Sequence, residues 1–334
     1  MHNQQIIHWF ELLIRQIQYD IDTKKGKERL QHSYRLKSIR NSVKQIKKFK
    51  KKINSGKDLK DLSGIGRGTV LRIDEILETG RLEEVDQAFV SGTYLKYIEE
   101  LEEVFGIGRT IAIDLYTNYM IRSIDDLRKA VSNQTITLPD HVVKGIYWHD
   151  RLNLRIPRRE VDDTYIEILE YCLKIDPDIN CIVCGSYRRE ELVMGDIDII
   201  ITHSQINTLD ESRNSDLLER VINYMIEKKF ILDNLTATNV RTKFMGICRS
   251  SIDRTIVRRI DIRFIPTESY YTAILYFTGS KDFNRTMRSV AKDMGYTLNE
   301  YHLLDRSMNI IPINSEFDIF DKLGMEYMVP RLRS

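Results

Sequence analysis

The sequence has no apolar run of about 18 residues or more, the length a membrane-spanning helix needs, so no segment of it is expected to span a membrane as a helix. The opening MHNQQIIHWFELLIRQ carries Glu11 and lacks a basic head and a small-residue cleavage site, so it is not read as a signal peptide. Its apolar positions, Ile6, Ile7, Phe10, Leu13, Ile14 and Ile17, have helical spacing instead. Cysteine is scarce: Cys172, Cys181, Cys184 and Cys248 are the only four, as expected of a reduced, intracellular chain. Cys181 and Cys184 form a C-x-x-C, but no histidine lies at finger spacing, so buried thiols are expected rather than a zinc site. There is no low-complexity linker. Net charge is nearly absent as well, at +2. What remains is a 334-residue chain, 42% hydrophobic and 30% charged, with room for two or three globular domains.

The small net charge hides an uneven distribution. From Lys24 to Lys60 there are 15 Lys and Arg against two acids, Glu28 and Asp58, and from Asp61 to Asp126 there are 6 against 14. A basic segment of this density is the footprint of polyanion binding. Residues 1–87 read as mostly helical, with Ile39, Val43 and Ile46 on the apolar side of a helix whose other side is Lys and Arg. Leu62-Ser63-Gly64-Ile65-Gly66-Arg67-Gly68-Thr69-Val70 then lies between two helical patterns, the second ending at Thr79-Gly80. The same G-I-G recurs at Val104-Phe105-Gly106-Ile107-Gly108-Arg109, 42 residues on and again between helices. This is the helix-hairpin-helix pattern. Its glycines let backbone approach a phosphate, and its amides open a helix that favours an anion. Gly64, Gly66, Gly106 and Gly108 are the candidate DNA contacts, and Ser91-Gly92 is the expected domain boundary between the two copies.

Helical spacing continues over 92–152 (Leu95, Ile98, Leu101; Ile124, Leu127; Val142, Val143, Ile146) and changes character at Arg155-Ile156-Pro157. A helix over 160–174 leads to the strand Cys181-Ile182-Val183-Cys184, which delivers Gly185-Ser186-Tyr187-Arg188-Arg189. Backbone donors, a hydroxyl and two guanidinium forks suit phosphate. About ten residues later comes Gly195-Asp196-Ile197-Asp198 running into Ile199-Ile200-Ile201. Strand side chains two apart share a face, so Asp196 and Asp198 sit side by side while Ile197 and Ile199 face the core. Two carboxylates that close repel unless a cation lies between them, and a divalent metal of the Mg²⁺ kind with substrate phosphates answers that need. Residues 205–216 read as a polar loop, 216–228 as a helix, and Lys243–Cys248 and Arg258–Ile265 as strands. Asp261, alternating with Arg259 and Arg263, supplies the third acid that a two-metal phosphoryl-transfer site requires. Tyr271 to Phe277 reads as a helix ending at Gly279.

In this order and at these spacings, the motifs resemble the family X DNA polymerases over nearly the whole chain. They include Lys52-Ile53-Asn54-Ser55-Gly56, both hairpins, the Gly-Ser and Asp-x-Asp stretch, and Arg259-Ile260-Asp261-Ile262-Arg263. Leu275-Tyr276-Phe277-Thr278-Gly279-Ser280, Phe283-Asn284, Met287-Arg288 and Asn299-Glu300-Tyr301 continue the match. The resemblance implies all-α N-terminal helix-hairpin-helix domains (1–87 and 92–152), an α+β nucleotidyltransferase palm (153–266) and a small α+β C-terminal subdomain (267–334). Asp196, Asp198 and Asp261 would hold two Mg²⁺, with Mn²⁺ as a substitute, and a monovalent cation would sit at the hairpins. Ser186, Arg189, Gly195 and Gly279 would hold the nucleotide with Arg155 nearby. Tyr276 and Phe277 would pack on its sugar, and Asn284 would reach the base in the minor groove. Lys60, Arg259 and Arg288 would contact DNA, and Glu300 and Tyr301 would support Arg288. The implied ligands are dNTPs and gapped or nicked duplex DNA, bound by a monomer with no membrane partner. The implied localisation is nuclear, or cytoplasmic if the gene is viral.

The sequence departs from that pattern in places. The family's N-terminal domain carries a 5′-deoxyribose-phosphate lyase that needs a Schiff-base lysine. The matching position is Arg72, whose guanidinium stays protonated, and the family's other phosphate-binding lysine of this hairpin falls on Gly68. Lys57, Lys60 or Lys37 are the available substitutes. Lys281 stands where the family has an acid beside the nucleotide, and Arg285 where it has a lysine. Two other functional classes fit parts of the chain: a template-independent nucleotidyltransferase of the same fold, and a non-catalytic DNA-binding scaffold. The first branch has Gly-Trp ahead of its Thr-Gly, where this chain has Tyr276-Phe277. Three intact acids argue against the second.

Overall fold

The computed structural model describes residues 3–86, 93–152, 154–236 and 240–333, in two compact units, Met1–Thr137 and Leu138–Ser334. The expected boundary at Ser91-Gly92 lies outside the described residues. No helix among those described is long and apolar enough to cross a membrane.

The first unit is helical. In α1 (Gln4–Thr23) the apolar spacing becomes a buried stripe of Ile6, Phe10, Leu13, Ile17 and Ile21. It packs on α2 (Gly26–Lys48), whose Leu36, Ile39, Val43 and Ile46 are buried while its lysines and arginines stay outside. Buried Ser42 of α2 shares a 2.9 Å hydrogen bond with Thr69 of α3 (Arg67–Thr79), and Gly80, in the left-handed region at φ 75, ends α3 as expected. Next come α4 (Thr93–Glu102), α5 (Arg109–Tyr119) and α6 (Ile124–Ser132), the last capped by Ser123.

The second unit opens with α7 (Asp140–Leu152), β1 (Ile156–Pro157) and α8 (Arg158–Ile175). Then follow β2 (Ile179–Val183), the single turn α9 (Gly185–Arg188), β3 (Val193–Met194) and β4 (Ile197–His203). The stretch expected to be loop over 205–216 instead contains α10 (Leu209–Asn214). Its polarity concealed a capping box: Thr208 Oγ1 accepts from the Glu211 amide while the Glu211 carboxylate accepts from Thr208. After α11 (Leu217–Glu227), β5 (Ile231–Asn234), β6 (Lys243–Arg249) and β7 (Val257–Phe264) complete a mixed five-stranded sheet in the order β2-β4-β7-β6-β5. Only β4 and β7 run parallel. The isoleucines of β4 and Ile260, Ile262 and Phe264 of β7 are buried, each worth about 1.5–3 kcal/mol on burial. Glu160 of α8 and Arg258 of β7 form a buried two-pronged pair at 2.7 and 2.9 Å, so the helix is fixed to the start of β7. Trp148 of α7 likewise donates to Asp233 of β5 at 3.0 Å.

The chain closes with α12 (Tyr270–Thr278), α13 (Lys281–Asp293), the short hairpin β8 (Thr297–Leu298) and β9 (Leu303–Leu304), and α14 (Glu316–Lys322). Leu275, Phe283, Met287, Leu303, Ile319 and Phe320 form a second core there. All four cysteines are buried and free, with Cys172 and Cys181 Sγ 3.8 Å apart.

Candidate active site

Strand register brings the three acids together. In the parallel pair β4/β7, Asp198 lies directly opposite Asp261. Neighbouring strands are about 4.8 Å apart, so both carboxylates leave the same face at close range. Asp196, just ahead of β4, shares that face, and the intervening Ile197 and following Ile199 are buried in the core behind it.

Two of the acids have arginine partners from β7. Arg259 donates to Asp196, and Arg263 donates to Asp261 Oδ2 at 3.0 Å. Asp198 has no such partner among the described residues. Burial, followed by the charges of Asp196 and Asp261, pushes its carboxyl well above the usual carboxylate range. Burial also raises Asp261, against the pull of Arg263. Asp261 Oδ1 is buried without a hydrogen-bond partner, since Arg263 Nε approaches to 2.9 Å but lacks the angle. An unpaired carboxylate and an orphaned carboxylate oxygen, in an all-oxygen donor set, fit a hard divalent cation.

Two turns face these acids. Gly185 opens α9 at φ 56, and a Cβ there would stand 1.9 Å from Asp198 Oδ2, so only glycine lets the turn close over the acid. Gly279 follows α12 at φ 68, with Arg189 Nη1 3.3 Å from where its Cβ would be. Between the turns is a cleft of about 320 Å³, whose lining includes Ser186, Arg189, Asp196, Asp198, Gly279 and Asn284. Tyr276, Phe277, Lys281 and Arg288 also line it. Asn284 donates its amide to the Tyr276 carbonyl at 2.6 Å, and Arg288 lies 5.9 Å over the Tyr276 ring. Asp261, Arg155 and Gly195 are outside the lining, although Arg155 Nη1 is 3.5 Å from a Cβ built on Gly195.

Arg188 departs from the phosphate role suggested by the paired arginines. It turns away from the cleft, donating to Glu316 at 2.5 and 3.1 Å and to Thr278 Oγ1 at 2.7 Å. Arg333, fully buried, donates to the same Glu316 at 2.6 Å, while its carbonyl accepts from Ser280 at 2.8 Å. Arg189 donates to the Thr278 carbonyl at 2.7 Å. The two turns that shape the cleft are therefore joined by one buried carboxylate.

In the first unit the two G-I-G hairpins have the same geometry. Gly64 and Gly106 lie at φ 88 and 86. Gly66 and Gly108 precede α3 and α5 at φ −97 and −93, and a Cβ on either would meet nothing within 4 Å. Both helix N-termini thus present bare backbone outward. Lys60 is exposed just ahead of the first hairpin.

Three family descriptions match the chain in succession: a helix-hairpin-helix domain over residues 1–82, the DNA polymerase beta palm over 155–267 and the DNA polymerase beta thumb over 273–334. Among curated proteins, DNA polymerase lambda of Rattus norvegicus is 28% identical over 307 residues, 87% of this chain and 51% of that protein. DNA polymerase lambda of Arabidopsis thaliana is 28% identical over 310 residues, 86% of this chain and 56% of its own. DNA-directed DNA/RNA polymerase mu of Homo sapiens is 26% identical over 306 residues, covering 83% and 60%. The chain belongs to the family X DNA polymerases. It spans little more than half the length of these relatives.

Arg72, where the sequence resemblance expected a lysine, pairs with Glu84, which also accepts from Arg35 at 2.5 Å. A protonated guanidinium held on a carboxylate offers no amine nucleophile. One other acid cluster stands out: Asp176, Asp178 and His203 bring ligand atoms within 4.8 Å of one another at the opposite end of β4. His203 Nδ1 accepts from the Gln205 amide at 3.2 Å, so its Nε2 carries the hydrogen toward Asp176, 3.3 Å away.

Proposed function

We propose that the chain is a template-directed DNA polymerase that fills short gaps in duplex DNA by adding a deoxynucleotide to a primer 3′-hydroxyl. The observation that carries this reading is the register of Asp198 on Asp261 beside a cleft holding Ser186, Arg189 and Asn284. Asp196, Asp198 and Asp261 would hold two Mg²⁺ ions, with Mn²⁺ as a substitute, exchanging the Arg259 and Arg263 contacts for metal. Bound Mg²⁺ supplies charge neutralisation on the transferring phosphate and makes the 3′-hydroxyl more acidic.

The remaining work falls to the chain. Phosphoryl transfer needs positioning and electrostatics more than covalent chemistry. Ser186, Arg189 and the backbone at Gly195 hold the triphosphate, with Arg155 beside them. Tyr276 and Phe277 pack on the sugar, Gly279 leaves room between the turns, and Asn284 reads the minor-groove edge of the base. Arg288 steadies the template strand and Arg259 the primer. Gly64, Gly66, Gly106 and Gly108 grip the DNA backbone without reading sequence, with a monovalent cation at the hairpins and help from Lys60 and the basic face of α2. The lyase step is absent or weak because Arg72 replaces the amine.

The protein works as a monomer on gapped or nicked DNA with dNTPs, in the nucleus, or in the cytoplasm if its gene is viral. Primer extension on a gapped duplex, run with and without the template strand, tests the reading. Extension only with template supports it. Equal extension without template favours a terminal transferase, and none in either case favours a scaffold.

A further inference from the structure

Lys281 is out of place as a structural residue. It is the first residue of α13, where the helix dipole favours an acid over a base, and Ser280 already caps that end by accepting from Phe283. The neighbouring Asp282 is engaged by Arg285 at 3.0 Å. Lys281 itself is exposed and makes no hydrogen bond or ion pair among the described residues. Lys281 is among the residues that line the cleft, with Gly279, Asn284 and Arg288.

The charge of the cleft gives this residue a purpose. Its lining carries Arg189, Lys281 and Arg288 beside Asp196 and Asp198, so Lys281 adds one positive charge to it. Arg288 rests over Tyr276 and Arg189 is held by Thr278, whereas Lys281 has no hydrogen-bond or ion-pair partner among the described residues. A lining cation that no acid of the cleft engages is available to an anionic ligand.

We propose that Lys281 is a nucleotide-affinity residue, an added cation that tightens binding of every dNTP alike. The proposal rests on the polymerase reading above. Because the ammonium offers a point charge with no directional code, it strengthens right and wrong nucleotides equally. It also acts on bound nucleotide and transition state alike, so it lowers KM without raising kcat or changing the ratio between correct and incorrect nucleotides.

The test measures equilibrium dNTP binding with Mg²⁺, and single-nucleotide gap filling, for wild type, Lys281→Ala, Lys281→Arg and Lys281→Glu. Lys281→Ala is expected to weaken Kd and raise KM about three- to fivefold for all four dNTPs, with kcat and the misinsertion ratio unchanged. Lys281→Arg is expected to match wild type, Lys281→Glu to bind more weakly than Lys281→Ala, and the differences to shrink as salt rises. An unchanged Kd in Lys281→Ala, or an equal loss in Lys281→Arg, overturns the assignment. If wild type binds dNTPs but extends no primer, the polymerase reading falls while the Kd comparison still decides the role of Lys281. If wild type binds no dNTP, both fall.

Discussion

Asp198 and Asp261 are register partners across the parallel strand pair of the sheet, and of the two only Asp261 accepts a hydrogen bond from an arginine among the described residues. The unbalanced Asp198 is the source of the metal requirement proposed for this site, and it has a consequence for stability. Its carboxyl titrates well above its ordinary value because of burial and then the Asp196 and Asp261 charges. The folded chain therefore holds a proton that the unfolded chain releases. Metal-free protein should lose stability as pH rises from the ordinary aspartate range toward the raised value. Asp198→Asn should remove that loss, so its melting temperature should gain on wild type as pH rises through this window. Mg²⁺ should raise the melting temperature of wild type and leave the variant unmoved. Parallel pH profiles for the two proteins would contradict this account of Asp198.

Gly185 has no freedom to change. A Cβ there would collide with Asp198 Oδ2 in a backbone already at positive φ. Gly185→Ala should displace the acid or the turn, cutting the gap-filling rate by on the order of 100-fold. Gapped-DNA affinity should stay within about twofold, since the hairpins lie in the other unit. Near-normal catalysis would show that the turn does not hold Asp198.

Glu316 joins the two turns through Arg188 and Arg333. Burial raises its carboxyl, but the hydrogen bonds from both arginines hold it below the usual range. The stability it confers is therefore present above the ordinary glutamate pKa and is lost as pH falls through the depressed folded value. Glu316→Gln should cost about 3 kcal/mol, measured by denaturant unfolding near neutral pH, because it removes the counter-charge of the fully buried Arg333 and the partly buried Arg188. The fraction that folds should show a raised KM for dNTP. A stability within about 0.5 kcal/mol of wild type would remove Glu316 from this role.

Arg72, already clamped on Glu84, should form no imine. Borohydride treatment with an incised abasic substrate should trap little or no cross-link on wild type. Efficient trapping would mean that Lys37, Lys57 or Lys60 has taken over the lyase chemistry.

Local patterns made most of this site legible in the sequence. Alternation placed Asp196 and Asp198 on one face, the Gly-Ser turn marked the phosphate side, and both hairpins ended where glycine required. The repeated G-I-G also gave matching backbone angles. Hidden features depended on distance along the chain. Arg188 meets Glu316 across 128 residues and Arg258 meets Glu160 across 98, and no local spacing signals such partners. The paired arginines at 188 and 189 looked equivalent because neighbouring residues share composition, whereas the fold sends one toward the cleft and the other toward Glu316. The two-residue strands β1 and β3 are too short to alternate, and α10 escaped notice because its capping box reads as polar loop.

The most direct test compares wild type with Asp261→Ala on a duplex with a one-nucleotide gap, in Mg²⁺ and dNTP. Filling and DNA binding are scored separately. The account predicts templated filling by wild type. It predicts that Asp261→Ala loses filling by roughly a thousandfold, while its gapped-DNA affinity stays within about twofold. Retained filling by Asp261→Ala, or no filling by wild type, would contradict it.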